Sequence, residues 1–189
     1  EENLAEADRL IEAACANGAT LLILPETFTT GSAFDTRAEA YAVAEAIPDG
    51  RTSQFLLKKA REHGVYITGS FVERDGADLY NTAVLAGPDG LVGKFRKLHP
   101  CEDEVYWAEP GNLGIPVFHT PIGRIALLII IRSASASVHF RAQILSARCS
   151  THTTSRKAVG FRTLTQRWQV FYVWQMRCPT MFLSLAAMR

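Results

Sequence analysis

Five residues near the start of the chain, 20–24, run Thr-Leu-Leu-Ile-Leu without alternation and stop at Pro25. A strand with one wet face alternates apolar and polar side chains, so an unbroken apolar run of this kind is the pattern of a strand buried on both faces. That in turn requires a sheet with helices packed over it. The flanks supply those helices. Residues 3–17 place Leu4, Ala7, Leu10, Ile11 and Ala14 on one face at helical spacing, and Gly18 stands where a left-handed cap would close the helix. Residues 36–46 and 53–63 read as two more helices, separated by Pro48-Asp49-Gly50 and closed by Gly64. A strand over 65–71 follows. The turn signals Asp75-Gly76 and Pro88-Asp89-Gly90 then punctuate segments 79–86 and 91–95, which predicts a meander of neighbouring strands. A polar and aromatic loop over 96–116 leads to strands at 117–120 and 124–131, joined through Pro121-Ile122-Gly123. This order predicts a layered α/β sandwich.

Composition matters chiefly for where it changes. The 189 residues are 48% apolar and 21% charged, which excludes disorder of the whole chain. The net charge of +1 conceals a division: residues 1–109 hold all 19 acidic side chains and 10 basic ones, a net of −9, whereas residues 110–189 hold 10 basic and no acidic ones. Turn residues break at nearly the same place, with 12 of 13 glycines and 7 of 8 prolines before position 132. Local propensity, pattern and turn chemistry cease to agree there. The sequence therefore predicts a globular part over 1–131 and an aberrant basic tail over 132–189.

Three features of the first part carry chemistry. Leu-Ile-Leu-Pro-Glu-Thr-Phe (22–28) sets Glu26 just past the end of the buried strand. Gly-Lys-Phe-Arg-Lys-Leu-His-Pro (93–100) sets Lys97 at the exit of a meander strand, and Glu104 follows seven residues later. Gly-Arg-Ile-Ala-Leu-Leu-Ile (123–129) is a third strand aimed at the same sheet edge. Catalytic groups collect at such ends because rigid strands fix them while loops admit substrate. Taken singly, Glu26 reads as a loop carboxylate or helix cap, and Lys97 as part of a solvated basic cluster with Lys94 and Arg96.

Together, these motifs with Leu79-Tyr80-Asn81-Thr82-Ala83 and Pro110-Gly111 resemble the carbon-nitrogen hydrolase family, or nitrilase superfamily, over about residues 1–129. The resemblance implies a four-layer α/β/β/α sandwich, of which this chain holds a part, and hydrolysis of small amide, carbamoyl or nitrile groups by Glu-Lys-Cys chemistry. Glu26 would be the general base, Lys97 the cation facing the tetrahedral oxyanion, and Glu104 the second carboxylate that positions the site. It also implies a homo-oligomer and needs neither metal nor cofactor. The departure from the family is the nucleophile. Its pattern asks for Cys, an aromatic and Asp at 130–132, and here stand Ile130, Ile131 and Arg132, none of which can attack a carbonyl carbon. The expectation is an inactive chain. Its alternative is a non-catalytic relative acting as a binding or partner subunit. A shift of reading frame near codon 130 would explain the loss of acids, turns and motif at one point.

Other residues read more plainly. Cys15, Cys101, Cys149 and Cys178 form no Cys-x-x-Cys pair, which argues against a zinc site or a disulfide framework and fits a reducing cytoplasm. Cys101 lies in the loop, away from the third strand's end. His99 is expected to pack as a structural histidine, and Glu102, Asp103 and Glu109 to be surface charges. Cys149 with His152 in a Ser/Thr-rich stretch reads as coincidence. The basic residues of the tail show no periodic spacing, which argues against nucleic-acid binding. No apolar run reaches membrane-spanning length. The chain opens at Glu1 with no visible leader, and an earlier start is expected.

Overall fold

The computed structural model describes residues 2–130 and 170–176, with position 130 and the second range as backbone. In order, the elements are α1 (Glu2–Ala16), β1 (Leu21–Ile23), α2 (Arg37–Val43), α3 (Arg51–His63), β2 (Tyr66–Asp75), β3 (Asp78–Gly87), β4 (Gly90–Arg96), a 3-10 helix (Glu102–Tyr106), β5 (Val117–Thr120), β6 (Gly123–Ile130) and β7 (Val170–Met176). Strands β1 to β4 form one sheet in sequence order, with β1 parallel to β2 and the rest an antiparallel meander. Strands β5, β6 and β7 form a second, antiparallel sheet. Residues 132–169 and 177–189 of the expected tail lie outside the described residues.

Alternation along the strands sorts side chains between two cores. Ile67, Phe71, Val84 and Ala86 face α1 and α3, meeting Ala7, Ile11, Leu56 and Ala60. Tyr66, Ala83, Leu85 and Phe95 face the other way and pack on Ile125, Leu127 and Ile129 of β6. Helix, sheet and sheet thus stack as three successive layers of the α/β/β/α arrangement. Leu22 and Leu24 join the first core and Leu21 the second, which is why no polar residue interrupts 21–24.

Two boundaries differ from expectation by more than two residues, both for tertiary reasons. Helix α2 stops at Val43, short of residue 46, because the Glu45 backbone pairs with β2: its N–H donates to the Val72 carbonyl at 2.9 Å and its carbonyl accepts the Arg74 N–H at 2.8 Å. The Glu45 carboxylate then caps α3, accepting from the Thr52 N–H at 2.6 Å and hydroxyl at 2.7 Å. Strand β2 continues to Asp75, past the expected end at residue 71, although Glu73, Arg74 and Asp75 are all charged. Glu73 is only 1% exposed because Arg96, Lys94 and Thr82 all donate to its carboxylate.

Candidate active site

Glu26 lies in a turn that β2 holds in place. The Leu24 N–H donates to the Thr68 carbonyl at 2.8 Å, the Thr27 N–H to the Ser70 hydroxyl at 2.8 Å, and the Phe28 N–H to the Ser70 carbonyl at 3.1 Å. Thr27 adopts a positive φ of 44°, a costly conformation for a β-branched residue, of the kind that persists only where its surroundings impose it. The carboxylate that results is 8% exposed.

Lys97 follows the last residue of β4. Its N–H donates to the Asn81 carbonyl at 2.9 Å and its carbonyl accepts the Gly111 N–H at 2.8 Å. Position 111 admits no side chain, since a Cβ there would stand 2.2 Å from the Arg96 carbonyl oxygen. That close approach brings Pro110-Gly111 back beneath Lys97 and makes the intervening loop a closed excursion. The excursion carries the 3-10 helix and Glu104. Trp107, 1% exposed, anchors it by donating from Nε1 to the Ser32 carbonyl at 3.1 Å, while Arg37 donates to the Trp107 carbonyl at 2.6 Å. The loops that follow Glu26 and that present Glu104 are therefore braced against each other.

The three expected polar groups converge. Lys97 Nζ donates to Glu26 Oε1 at 2.8 Å and to Glu104 Oε2 at 2.5 Å, with Lys97 and Glu104 4% and 3% exposed. The reading of Lys97 as part of a solvated basic cluster is thus overturned: Lys97 and Arg96 are buried, and Lys94 pairs with Glu73. Burial pushes the Glu26 carboxyl above the usual carboxylate range; Lys97 pulls it back, and the neighbouring Glu104 charge adds to the rise. Burial works against the Lys97 ammonium, but the two carboxylates more than offset it and hold the lysine charged.

The two carboxylates are not equivalent. Both oxygens of Glu104 are engaged, Oε1 by the Asn81 amide at 2.6 Å and Oε2 by Lys97 and the Cys101 N–H at 3.2 Å. Glu26 takes Lys97 and the Asn81 amide, at 2.7 Å, on the same oxygen. Its Oε2 accepts nothing from the described residues, which leaves lone pairs for a proton. Two acids against one base also make this buried cluster net negative when all are ionised.

Asn81 is 1% exposed, and the motif Leu79-Tyr80-Asn81-Thr82-Ala83 alone assigns it no role. The available signal was its place among Leu79, Ala83 and Leu85 on the inward face of β3, where an amide needs partners. Cys101 lies in the loop as expected, yet its Sγ is 3.6 Å from Lys97 Nζ and 3.5 Å from Glu104 Oε2, and burial pushes its thiol up to about 11. His99 is exposed, contrary to the expected packed histidine, because the chain after Leu98 leaves the core. Glu102 and Asp103 are exposed as expected, and Glu109 pairs with Arg37 at 3.3 Å. Among the described residues, no group of three or more His, Cys, Asp or Glu side chains could hold a metal ion. No helix among them is long and apolar enough to cross a membrane. The side chain at position 130 lies outside the described residues.

Two facing sheets under a helical layer are three layers of an α/β/β/α sandwich, and they hold a buried lysine between two glutamates at the strand ends. The chain belongs to the carbon-nitrogen hydrolase family, whose model matches residues 1–172. It is 43% identical over 129 residues to a nitrilase of Pyrococcus abyssi, covering 68% of this chain and 49% of that one. A beta-ureidopropionase of Arabidopsis thaliana is 36% identical over 129 residues, covering 64% and 31%. Among solved structures, a carbon-nitrogen hydrolase superfamily protein of Xanthomonas campestris with an arsenic adduct in its active site superposes with a TM-score of 0.57 at 28% identity, covering 65% of this chain and 44% of that one. The chain thus spans about half the length, or less, of the relatives it matches.

Proposed function

We propose that residues 1–131 are the N-terminal part of a domain that hydrolyses a small amide, carbamoyl or nitrile compound, and that this chain has lost the nucleophile. The observation that carries the reading is Glu26 Oε2, which accepts nothing from the described residues, on a carboxylate already held by Lys97. In such a site acting on an amide or carbamoyl group, a cysteine thiol gives its proton to Glu26 and attacks the carbon, and the C–N bond breaks to leave a thioester as Glu26 returns the proton to the departing amine. Water then cleaves the thioester and restores the thiol, whereas a nitrile first gives a thioimidate and loses ammonia only after water adds. Lys97 faces the charge that develops on oxygen, the term that electrostatic catalysis depends on most. Glu104, with both oxygens occupied, holds the lysine.

Sulfur is what this chain lacks where the family pattern asks for it, since position 130 is isoleucine. The purified 189-residue chain is expected to release no ammonia from small amides, and measurable release would contradict the inactive reading. What remains to such a chain is binding, either of the small amide or nitrile itself or of further subunits in a homo-oligomer. We infer that the chain from about codon 130 onward comes from a shifted reading frame. The family match runs past that point to residue 172, so the boundary rests on the break in charge and turn residues. The corresponding DNA should encode Cys, an aromatic and Asp directly after Ile129 in another frame. If no frame does so, the tail is the chain's own divergent ending.

A further inference from the structure

Asn81 has no part in the chemistry above, yet each polar group of the site is tied to it. Its side-chain amide offers two hydrogens from one nitrogen, and Nδ2 donates to Glu26 Oε1 at 2.7 Å and Glu104 Oε1 at 2.6 Å. Its backbone carbonyl accepts the Lys97 N–H at 2.9 Å. No other uncharged side chain of this size can supply the first pair of bonds. A leucine would donate nothing, an aspartate would set a third anion against two, and the amide turned over would face its own oxygen to both carboxylates.

We propose that Asn81 is the positioning residue of this site, yoking the carboxylates of Glu26 and Glu104 at the separation Lys97 spans and confining both donors to Oε1 of Glu26. The proposal deepens the reading of Glu26 as the base and rests on it. Its physical content is a division of labour. Because Asn81 and Lys97 share one oxygen of Glu26, the other is left for a proton, whereas the same amide completes the saturation of Glu104. An asparagine that only filled space would leave the protonation of both carboxylates unchanged on replacement.

The test uses the full 189-residue chain labelled with 13C at glutamate carboxyls, with resonances assigned through Glu26→Gln and Glu104→Gln. In Asn81→Leu, the Glu26 midpoint is expected to move upward from its position in the unchanged chain, because the amide favours the ionised form. Asn81→Asp is expected to move it upward further at pH values where the new carboxyl is ionised. A folded Asn81→Leu chain whose Glu26 and Glu104 titrate as before overturns the proposal. Should that variant not fold, the unchanged chain decides: its Asn81 side-chain 15N–1H resonances must move with the titration of Glu26, and resonances that do not follow it overturn the proposal. These titrations involve no turnover. Ammonia release by the intact chain would therefore sink the inactive reading and leave this one standing, while unmoved midpoints would do the reverse.

Discussion

Arg96 and Lys97 are consecutive residues, both buried, and each sits among carboxylates, but on opposite faces of the first sheet. On the helical face, Arg96 donates from Nε and Nη2 to the two oxygens of Glu73 at 2.9 and 2.7 Å, reaches Asp75 at 2.7 Å, and stacks 3.8 Å over the Tyr80 ring. Thr82 and Lys94 complete the set. Two acids meet two bases, every Glu73 oxygen is bonded twice, and nothing is left to react. On the face toward the second sheet, two acids meet one base among the described residues, and none of these donates to the second oxygen of Glu26. A buried ion cluster that closes on itself is structure, whereas one left a partner short has capacity for chemistry.

Replacing the lysine breaks this contrast most severely. Lys97→Met strands two buried carboxylates and is expected to cost about 3 to 5 kcal/mol in urea unfolding at pH 7. The sign of its pH dependence is fixed: without the cation, the folded chain holds its carboxyl protons more tightly than the unfolded chain, so the deficit should shrink as pH is lowered from about 7 to about 5. A deficit that is small, or that grows on acidification, would show that the cluster is already protonated or solvated.

Glu73→Gln sharpens the other half. It leaves Arg96 its Asp75 and Tyr80 partners and should cost less, about 3 kcal/mol. Burial alone would raise the Glu73 carboxyl, but the bonds from Arg96, Lys94 and Thr82 outweigh it and hold the carboxyl below its ordinary value. Stability from this group is therefore present above the unfolded value of about 4.3 and is lost as pH falls through the folded one. Acid unfolding of Glu73→Gln should lack that portion of the loss, and a curve parallel to that of the unchanged chain would argue against the closed network.

The smallest effect falls on Cys101, at the rim of the lysine cluster. Cys101→Ser should change stability by less than about 1 kcal/mol. Alkylation of its thiol by iodoacetamide should stay slow at neutral pH and rise toward about 11, since burial holds the sulfur protonated. Rapid alkylation at pH 7 would mean that Lys97 activates it.

What could be read in advance follows from the range of the forces involved. The 20–24 run, the amphipathic face of α1, the Gly64 cap and the meander turns are local signals, and each reappears in place with small changes of boundary. The end of α2 and the polar stretch of β2 were illegible because a strand edge and a buried ion network decide them from afar. Glu26, Lys97 and Glu104 were legible as a set through family resemblance. Asn81 was not, because an amide within an apolar strand acquires its meaning from what stands opposite.

The sequence by itself determined the order of helices and strands and which residues bring charge to the strand ends, since periodicity and turn chemistry act between near neighbours. It also fixed isoleucine at position 130, which is a matter of composition and needs no coordinates. Only the tertiary structure decided that Glu26 and Lys97, 71 residues apart, share a hydrogen bond of 2.8 Å, and that among the described residues one glutamate is bonded through one oxygen and the other through both. Such distinctions depend on hydrogen-bond geometry of a few tenths of an ångström between segments distant in the chain, and that geometry exists only once both cores have packed.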